Sequence, residues 1–91
     1  MERFCKFGKL HAIKGNGHKL LSILLTASKE LEDVDNCFCY IVGQDENDLD
    51  AVYVYEVWED KEAHKQSLDL PAVKKLITSA MPILDMSKME S

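Results

Sequence analysis

The stretch AVYVYEVW, residues 51–58, alternates like a β-strand, but both of its alternating sets of side chains are largely apolar. One set is Val52, Val54, Glu56 and Trp58, and the other set is Ala51, Tyr53, Tyr55 and Val57. An antiparallel sheet usually packs one face on a core and leaves the other face in water. This strand therefore needs cover on both faces, and a chain of 91 residues has few elements that supply it.

Hydrophobic periodicity and turn residues predict six further elements around this strand. In chain order, they are a strand over 4–13, a helix from 18 to 31 or 32, a strand over 37–42, a helix over 61–68, a helix from 71 that ends at Pro82, and a short final strand over 83–89. Asn16 and Asp60 are predicted to cap the first and second helices, and Pro71 suits the first turn of the third.

This order of elements is the βαββαβ pattern of a ferredoxin-like fold. We therefore expect residues 1–91 to form one α+β domain, with an antiparallel sheet and helices on one face of it. So short a chain has no third layer for the second apolar face. The simplest cover is a second copy packed sheet against sheet, and a two-fold axis is the commonest symmetry for such a homodimer.

The composition argues against several classes of partner. The net charge is -5, with 16 acidic against 11 basic residues, whereas nucleic-acid and anionic membrane surfaces need clustered Lys and Arg. No apolar run approaches the ~20 residues that span a bilayer, and the N-terminal stretch MERFCKFGK lacks the apolar core of a signal peptide. We therefore expect a cytoplasmic protein that binds neither nucleic acid nor membrane.

The number and spacing of the three cysteines argue against a metal site. Cys37 and Cys39 have a CxC spacing that is not typical of zinc knuckles, and Cys5 lies in another apolar segment. An odd number of cysteines without a secretion signal is typical of reduced thiols that pack as small hydrophobic side chains.

The stretch VYVYEVWEDKEAHKQSLDLPAVKKLI resembles the antibiotic biosynthesis monooxygenase family of dimeric α/β barrels. The shared pattern is Glu-x-Trp at the end of the third strand, here Glu56 and Trp58, then a short charged helix and a helix that starts with Pro. The stretches FGKLHAIKGNGHKLLSILLTAS and DNCFCYIV also look like earlier parts of the family pattern, so the resemblance covers almost the whole chain. It implies a dimer of two ferredoxin-like units.

The resemblance also implies a function. Several members of the family are oxygenases that need no metal, haem or flavin, and they hold a quinol or anthrone-like compound in an apolar pocket between sheet and helices. A base helps to form the substrate anion, which reacts with oxygen. We therefore expect a monooxygenase without a cofactor, acting on a small electron-rich aromatic or quinol. The alternative is a dimeric module that binds a small ligand or serves in stress without catalysis.

His64 is the residue that we expect to act as the general base. Many members of the family carry a His nine residues after the Trp, where this chain has Ser67, but a subgroup has the form Glu-Ala-His-x-x-Ser-Leu that includes His64. His64 and Ser67 are three residues apart and share a helix face. An imidazole titrates near neutral pH, which suits removal of a phenolic proton. The alternative is a structural His that hydrogen-bonds backbone or a partner chain.

Ser67 is also a candidate for binding the substrate. Four further candidates each have an ordinary structural alternative. Trp58 would form a wall of the pocket or simply pack in the core. Glu56 would be an acid or base with a shifted pKa, or a carboxylate held by an ion pair or hydrogen bond, since unpaired burial is costly. Tyr40 would hydrogen-bond a ligand oxygen, and His11 would line the same pocket or only the dimer interface.

Overall fold

The computed structural model describes residues 2–88. Its strands are β1 (Phe4–His11), β2 (Cys37–Gln44) and β3 (Ala51–Trp58). Its helices are α1 (Gly17–Leu31), α2 (Lys61–Ser67) and α3 (Pro71–Ala80). The α+β class and the antiparallel sheet predicted from the sequence are confirmed.

The two-sided apolar strand β3 is the central strand of the sheet, whose order is β1-β3-β2. The antiparallel register places Glu56 of β3 opposite Lys6 of β1 on one side and opposite Tyr40 of β2 on the other. Side chains directly opposite each other point to the same face of a sheet. Lys6, Glu56 and Tyr40 therefore form a single row across all three strands.

The helices cover the face of the sheet that carries this row. Val52 and Val54 pack with Leu20 and Leu24 of α1 in one buried cluster. Trp58 belongs to a second cluster, with Leu31, Ala63 and Val73. The set of β3 that contains Glu56 thus faces the helices, as expected of a ferredoxin-like sandwich.

The opposite face of the sheet has no cover within residues 2–88. Phe7 of β1 is 57% exposed, Ile41 of β2 is 59% exposed, and Tyr55 of β3 is 38% exposed. The three strands place these side chains on the face away from the helices, in line with their register. The second apolar set of β3 therefore belongs to an apolar face of the sheet that the described residues leave exposed to water.

The predicted final strand over 83–89 is the element that differs. Leu84 makes a single bridge with Ala12, just beyond the end of β1, and a short 3-10 turn lies on each side of the bridge. The Asp85 carboxylate accepts hydrogen bonds from the backbone N–H and the hydroxyl of Ser87, which turns the chain away from β1. Residue 89, the last residue of the predicted strand, lies outside the described residues 2–88.

Asp50, rather than the predicted Asn16, holds the start of α1. The Asn16 side chain makes no capping hydrogen bond, while the Asp50 carboxylate accepts the N–H groups of Gly15 at 3.2 Å and Gly17 at 2.9 Å. The same approach brings Leu49 against the helix. A Cβ atom on Gly17 would lie 1.8 Å from the Leu49 carbonyl oxygen, so only glycine fits here.

His11 ties the end of β1 to the loop between β2 and β3. Its Nε2 lies 2.8 Å from the Asp48 carboxylate, and its Nδ1 donates to the Ala12 carbonyl at 2.9 Å. The hydrogen bond to Asp48 raises the pKa of His11 above its usual value, and the same bond lowers the pKa of Asp48. The two shifts stabilise the charged pair in the folded state.

Replacement of Gly17 by Ala is expected to destabilise the fold. The added methyl group meets backbone of the β2–β3 loop, which cannot move without loss of the Asp50 contacts, and such overpacking costs about 1–3 kcal/mol. Gly43→Ala is the matched control, because open space surrounds that position. Urea denaturation measures both. Equal free energies of unfolding for the two variants would show that the loop does not pack on Gly17.

The His11–Asp48 pair predicts a pH-dependent stability. The stabilisation of the fold that follows from the raised His11 pKa is fully present below the unfolded value of 6.5. It is lost as the pH rises through the folded pKa. The stabilisation that follows from the lowered Asp48 pKa is present above the unfolded value of 3.8 and is lost as the pH falls through the folded pKa. The difference in free energy of unfolding between wild type and Asp48→Asn is therefore expected to be larger at pH 5.5 than at pH 8. A constant difference across this range would contradict the assignment.

Candidate functional site

A cavity of about 410 Å³ lies between the helix-facing side of the sheet and α3. Its walls are mainly apolar, and its polar groups are Lys6, Tyr40 and Glu56, the three members of the row across the sheet. A volume of this size and a lining with a few convergent polar groups are typical of sites for small molecules. The cavity is therefore the candidate functional site.

Glu56 is the group on which the polar end of the cavity is built. The indole N–H of Trp58 donates to Glu56 Oε1 at 2.9 Å, and Nε2 of His64 lies 3.7 Å from the same oxygen. Only 16% of the Glu56 side chain is exposed. Within residues 2–88, the second oxygen, Oε2, accepts no hydrogen bond. One oxygen of the carboxylate is thus held in place and the other is left for a ligand.

Trp58 holds this carboxylate by a hydrogen bond but does not line the cavity. Its side chain is 1% exposed and packs with Leu31, Ala63 and Val73. The core-packing interpretation of Trp58 is therefore the one that the geometry favours over a pocket wall. Its contribution to the site is the N–H that fixes Glu56.

His64 lies on α2 and is not among the residues that line the cavity. Its ring centroid is 5.1 Å from that of Phe4 and 5.8 Å from that of Trp58, in an edge-on arrangement with the indole. It lines an open surface groove that also includes Lys6. His64 does not line the cavity, so its closest approach to the site is to the Glu56 carboxylate.

Ser67 and His11 lie outside the cavity. Ser67 is buried, and its hydroxyl donates to the backbone carbonyl of His64, one helical turn earlier. His11 is at the opposite end of β1 from the row, in its pair with Asp48. The structure therefore brings together Glu56, Tyr40, Trp58 and His64 but separates Ser67 and His11 from the cavity.

Tyr40 lines the cavity and lies directly opposite Glu56 on the neighbouring strand. Burial raises the pKa of Tyr40, and the negative charge of Glu56 raises it further, so the hydroxyl stays protonated at neutral pH. No group in the described chain hydrogen-bonds this hydroxyl. The Tyr40 side chain is therefore a donor available to a ligand.

Lys6 and Gly8 are cavity residues that sequence reasoning missed. Both lie on the set of β1 side chains that faces the helices, whereas His11, the candidate from the first strand, lies on the opposite set. Within the described residues, Lys6 has no ion-pair partner. Alternation along β1 does place Lys6 and Gly8 on one face, but the pairing with β3 is needed to show that this face meets the helices.

Two further features limit the kinds of site on the described residues. No group of three or more His, Cys, Asp or Glu side chains between residues 2 and 88 is placed to hold a metal ion. In the same part of the chain, no helix has the length and hydropathy of a membrane span.

Comparisons with known proteins agree with the fold. The model of the antibiotic biosynthesis monooxygenase family matches residues 4–79. A candidate antibiotic biosynthesis monooxygenase from Chloroflexus aurantiacus is 34% identical, with a TM-score of 0.82 over 91% of this chain and 82% of that chain. No protein of curated function matches significantly.

More distant solved structures share the fold. A candidate antibiotic biosynthesis monooxygenase from Deinococcus radiodurans is 22% identical, with a TM-score of 0.77 over 92% of this chain and 84% of that chain. A protein from Methanosarcina mazei is 16% identical, with a TM-score of 0.82 over 93% and 84%. Since the family model spans most of the sequence, the chain belongs to the antibiotic biosynthesis monooxygenase family.

Proposed function

We propose that this protein is a monooxygenase that oxidises a small electron-rich aromatic or quinol in the cavity, without a metal, haem or flavin. The observation that carries the proposal is the Glu56 carboxylate, which lines an otherwise apolar cavity with one oxygen held by Trp58. Membership of the family and the candidate monooxygenases among similar structures support the same chemistry.

Glu56 accepts the acidic proton of the substrate in this proposal. Its free oxygen, Oε2, takes the proton, and His64, whose Nε2 lies 3.7 Å from Oε1, receives it from Glu56 afterwards. His64 thus keeps the role of a base predicted from the sequence, but acts through Glu56. The Tyr40 hydroxyl and the Lys6 ammonium group stabilise the negative charge that develops on the substrate oxygen.

The substrate supplies the electrons for the reaction with oxygen. For an anthrone-like substrate, the anion adds O₂ at the ring CH₂ carbon, and the peroxide anion that forms takes back the proton that Glu56 removed. The resulting hydroperoxide loses water to leave a carbonyl group. One oxygen atom enters the product and the other leaves as water, and four electrons come from the substrate. The balance therefore requires no external reductant, which agrees with the proposed absence of a cofactor.

We also propose that the protein is a homodimer that packs sheet against sheet. The exposed apolar face of the sheet, which includes Phe7, Ile41 and Tyr55, is the surface that a second copy would bury. Self-association through one face gives the same contacts to both copies, which a two-fold axis provides.

Glu56→Gln is expected to lower the rate of oxygen uptake by about 100-fold or more, because a neutral amide cannot accept the proton. His64→Ala is expected to lower it less, because Glu56 remains. Glu46→Gln is the matched control, since that carboxylate is exposed in the β2–β3 loop. An oxygen electrode measures uptake with a panel of quinols and anthrones. Wild-type protein that binds members of the panel without oxygen uptake would be a ligand-binding module instead, and protein that does neither would leave the proposal without support.

Ile41→Lys is expected to convert the dimer into a monomer, because a buried lysine would place a charge in the apolar interface. Leu25→Lys is the matched control, since Leu25 is 48% exposed on α1, on the helical side. Sedimentation at micromolar concentration measures both. A wild-type protein that sediments as a stable folded monomer would overturn the proposed dimer.

A further inference from the structure

We infer that the row Lys6–Glu56–Tyr40 recognises two neighbouring oxygen atoms on one edge of a flat, fused-ring aromatic ligand, and that Gly8 provides the space for its ring. The inference rests on the proposed function only for the location of the site. It adds the arrangement of polar groups on the ligand and assigns roles to two residues, Lys6 and Gly8, on β1.

The row places three different polar groups at one level of the cavity. Residues directly opposite each other on neighbouring strands have Cβ atoms about 4.5–5.5 Å apart, and Glu56 pairs with Lys6 on one side and with Tyr40 on the other. Two residues further along the strands, the corresponding row begins with Gly8 and Val54, which are apolar. Polar contacts to a ligand are therefore confined to one edge of the cavity.

The order of the groups along the row is donor, acceptor, donor. The Lys6 ammonium group only donates, the Glu56 carboxylate only accepts, and the Tyr40 hydroxyl is a donor because its pKa is raised by burial. A ligand hydroxyl that donates to Glu56 and accepts from Tyr40 satisfies two of these groups. A second oxygen on the adjacent carbon, as phenolate or carbonyl, satisfies Lys6.

Lys6 is suited to bind an anionic oxygen of the ligand. Among residues 2–88 it has no ion-pair partner, although the Glu56 carboxylate is in the same row. It borders both the cavity and the open groove beside His64, so it stands at the entrance. An ammonium group at that place stabilises a ligand anion more than it does a neutral ligand.

Gly8 leaves the floor of the cavity open beside the polar row. It lines the cavity next to Val54, while Ile77 of α3 and Met81, the residue that follows α3, contribute apolar side chains to the helical wall. Any side chain at position 8 would project from the sheet into the cavity, because position 8 lies on the helix-facing set of β1. Because Gly8 lines the cavity without a side chain, we assign the space beside it to the ring of the ligand.

Calorimetric titration under argon with two isomers tests this arrangement. The probe 2,3-dihydroxynaphthalene carries both oxygens on one edge, and 2,6-dihydroxynaphthalene carries them on opposite edges, with the same composition and charge. We expect the 2,3 isomer to bind about tenfold or more tightly, which corresponds to one hydrogen bond to a charged group. Equal affinities, or no binding of either isomer, would overturn the inference.

Variants of Lys6 and Gly8 test the roles of these two residues in binding the two isomers. Lys6→Met is expected to weaken binding of the 2,3 isomer about tenfold and to leave the 2,6 isomer nearly unchanged, whereas Lys74→Met on the exposed side of α3 changes neither. Gly8→Val is expected to weaken both isomers, with Gly43→Val as the control at an open position. Wild-type affinities in Lys6→Met would overturn the assignment, and because Lys6 is exposed this variant tests it even where Gly8→Val does not fold.

The outcome separates this inference from the proposed oxidation. Preferential binding of the 2,3 isomer without oxygen uptake by any quinol or anthrone would support the recognition row and contradict the monooxygenase proposal. Oxygen uptake with a quinol or anthrone, together with equal binding of the 2,3 and 2,6 isomers, would support the monooxygenase proposal and contradict the recognition row.

Discussion

The hydrogen bond from the indole N–H of Trp58 to Glu56 is the interaction on which the site depends. A fully buried indole needs an acceptor for its N–H, and a carboxylate that is mostly withdrawn from water needs a donor. The two side chains lie two residues apart on β3 and therefore on the same face, so each meets the requirement of the other. The bond joins a core cluster to the cavity and fixes the direction of the carboxylate.

The small size of the chain explains why structure and function share one strand. β3 lies in the middle of a three-stranded sheet, so one of its faces forms the floor of both the core and the cavity. The other face carries apolar side chains that α1, α2 and α3 cannot reach. A second subunit would bury that face without changing the cavity side, which allows the proposed dimer and the proposed chemistry to be tested separately.

The sequence predicted those parts of the fold that depend on local pattern. The bounds of β3 agree at both ends, and the Asp60 side chain caps α2 by accepting the Ala63 N–H at 2.7 Å, as predicted. The predicted final strand is absent as a strand because the turn at Asp85 limits its pairing with the first strand to one bridge. Local propensity does not contain that information.

The site was predicted less completely than the fold, since it depends on strand register. Glu56 and Tyr40 were identified from the sequence, but Lys6 enters only through the pairing of β1 with β3. The same pairing shows why His11, on the opposite set of β1, lies elsewhere. The sequence predicted that an ion pair or a hydrogen bond holds Glu56 but could not name the partner. In the structure, the neighbouring Trp58 donates the hydrogen bond, and His64 lies close to the same oxygen.

The indole N–H resonance of Trp58 reports most directly on the central claim that a ligand binds at Glu56. The chain has one tryptophan, so a ¹⁵N–¹H correlation spectrum contains one indole signal to follow during titration with 2,3-dihydroxynaphthalene. We predict that this signal shifts progressively and saturates with the ligand, because a hydrogen bond to Oε2 weakens the one that Oε1 accepts from Trp58. A signal that stays in place while the ligand saturates the protein would place the binding site away from Glu56 and contradict the account.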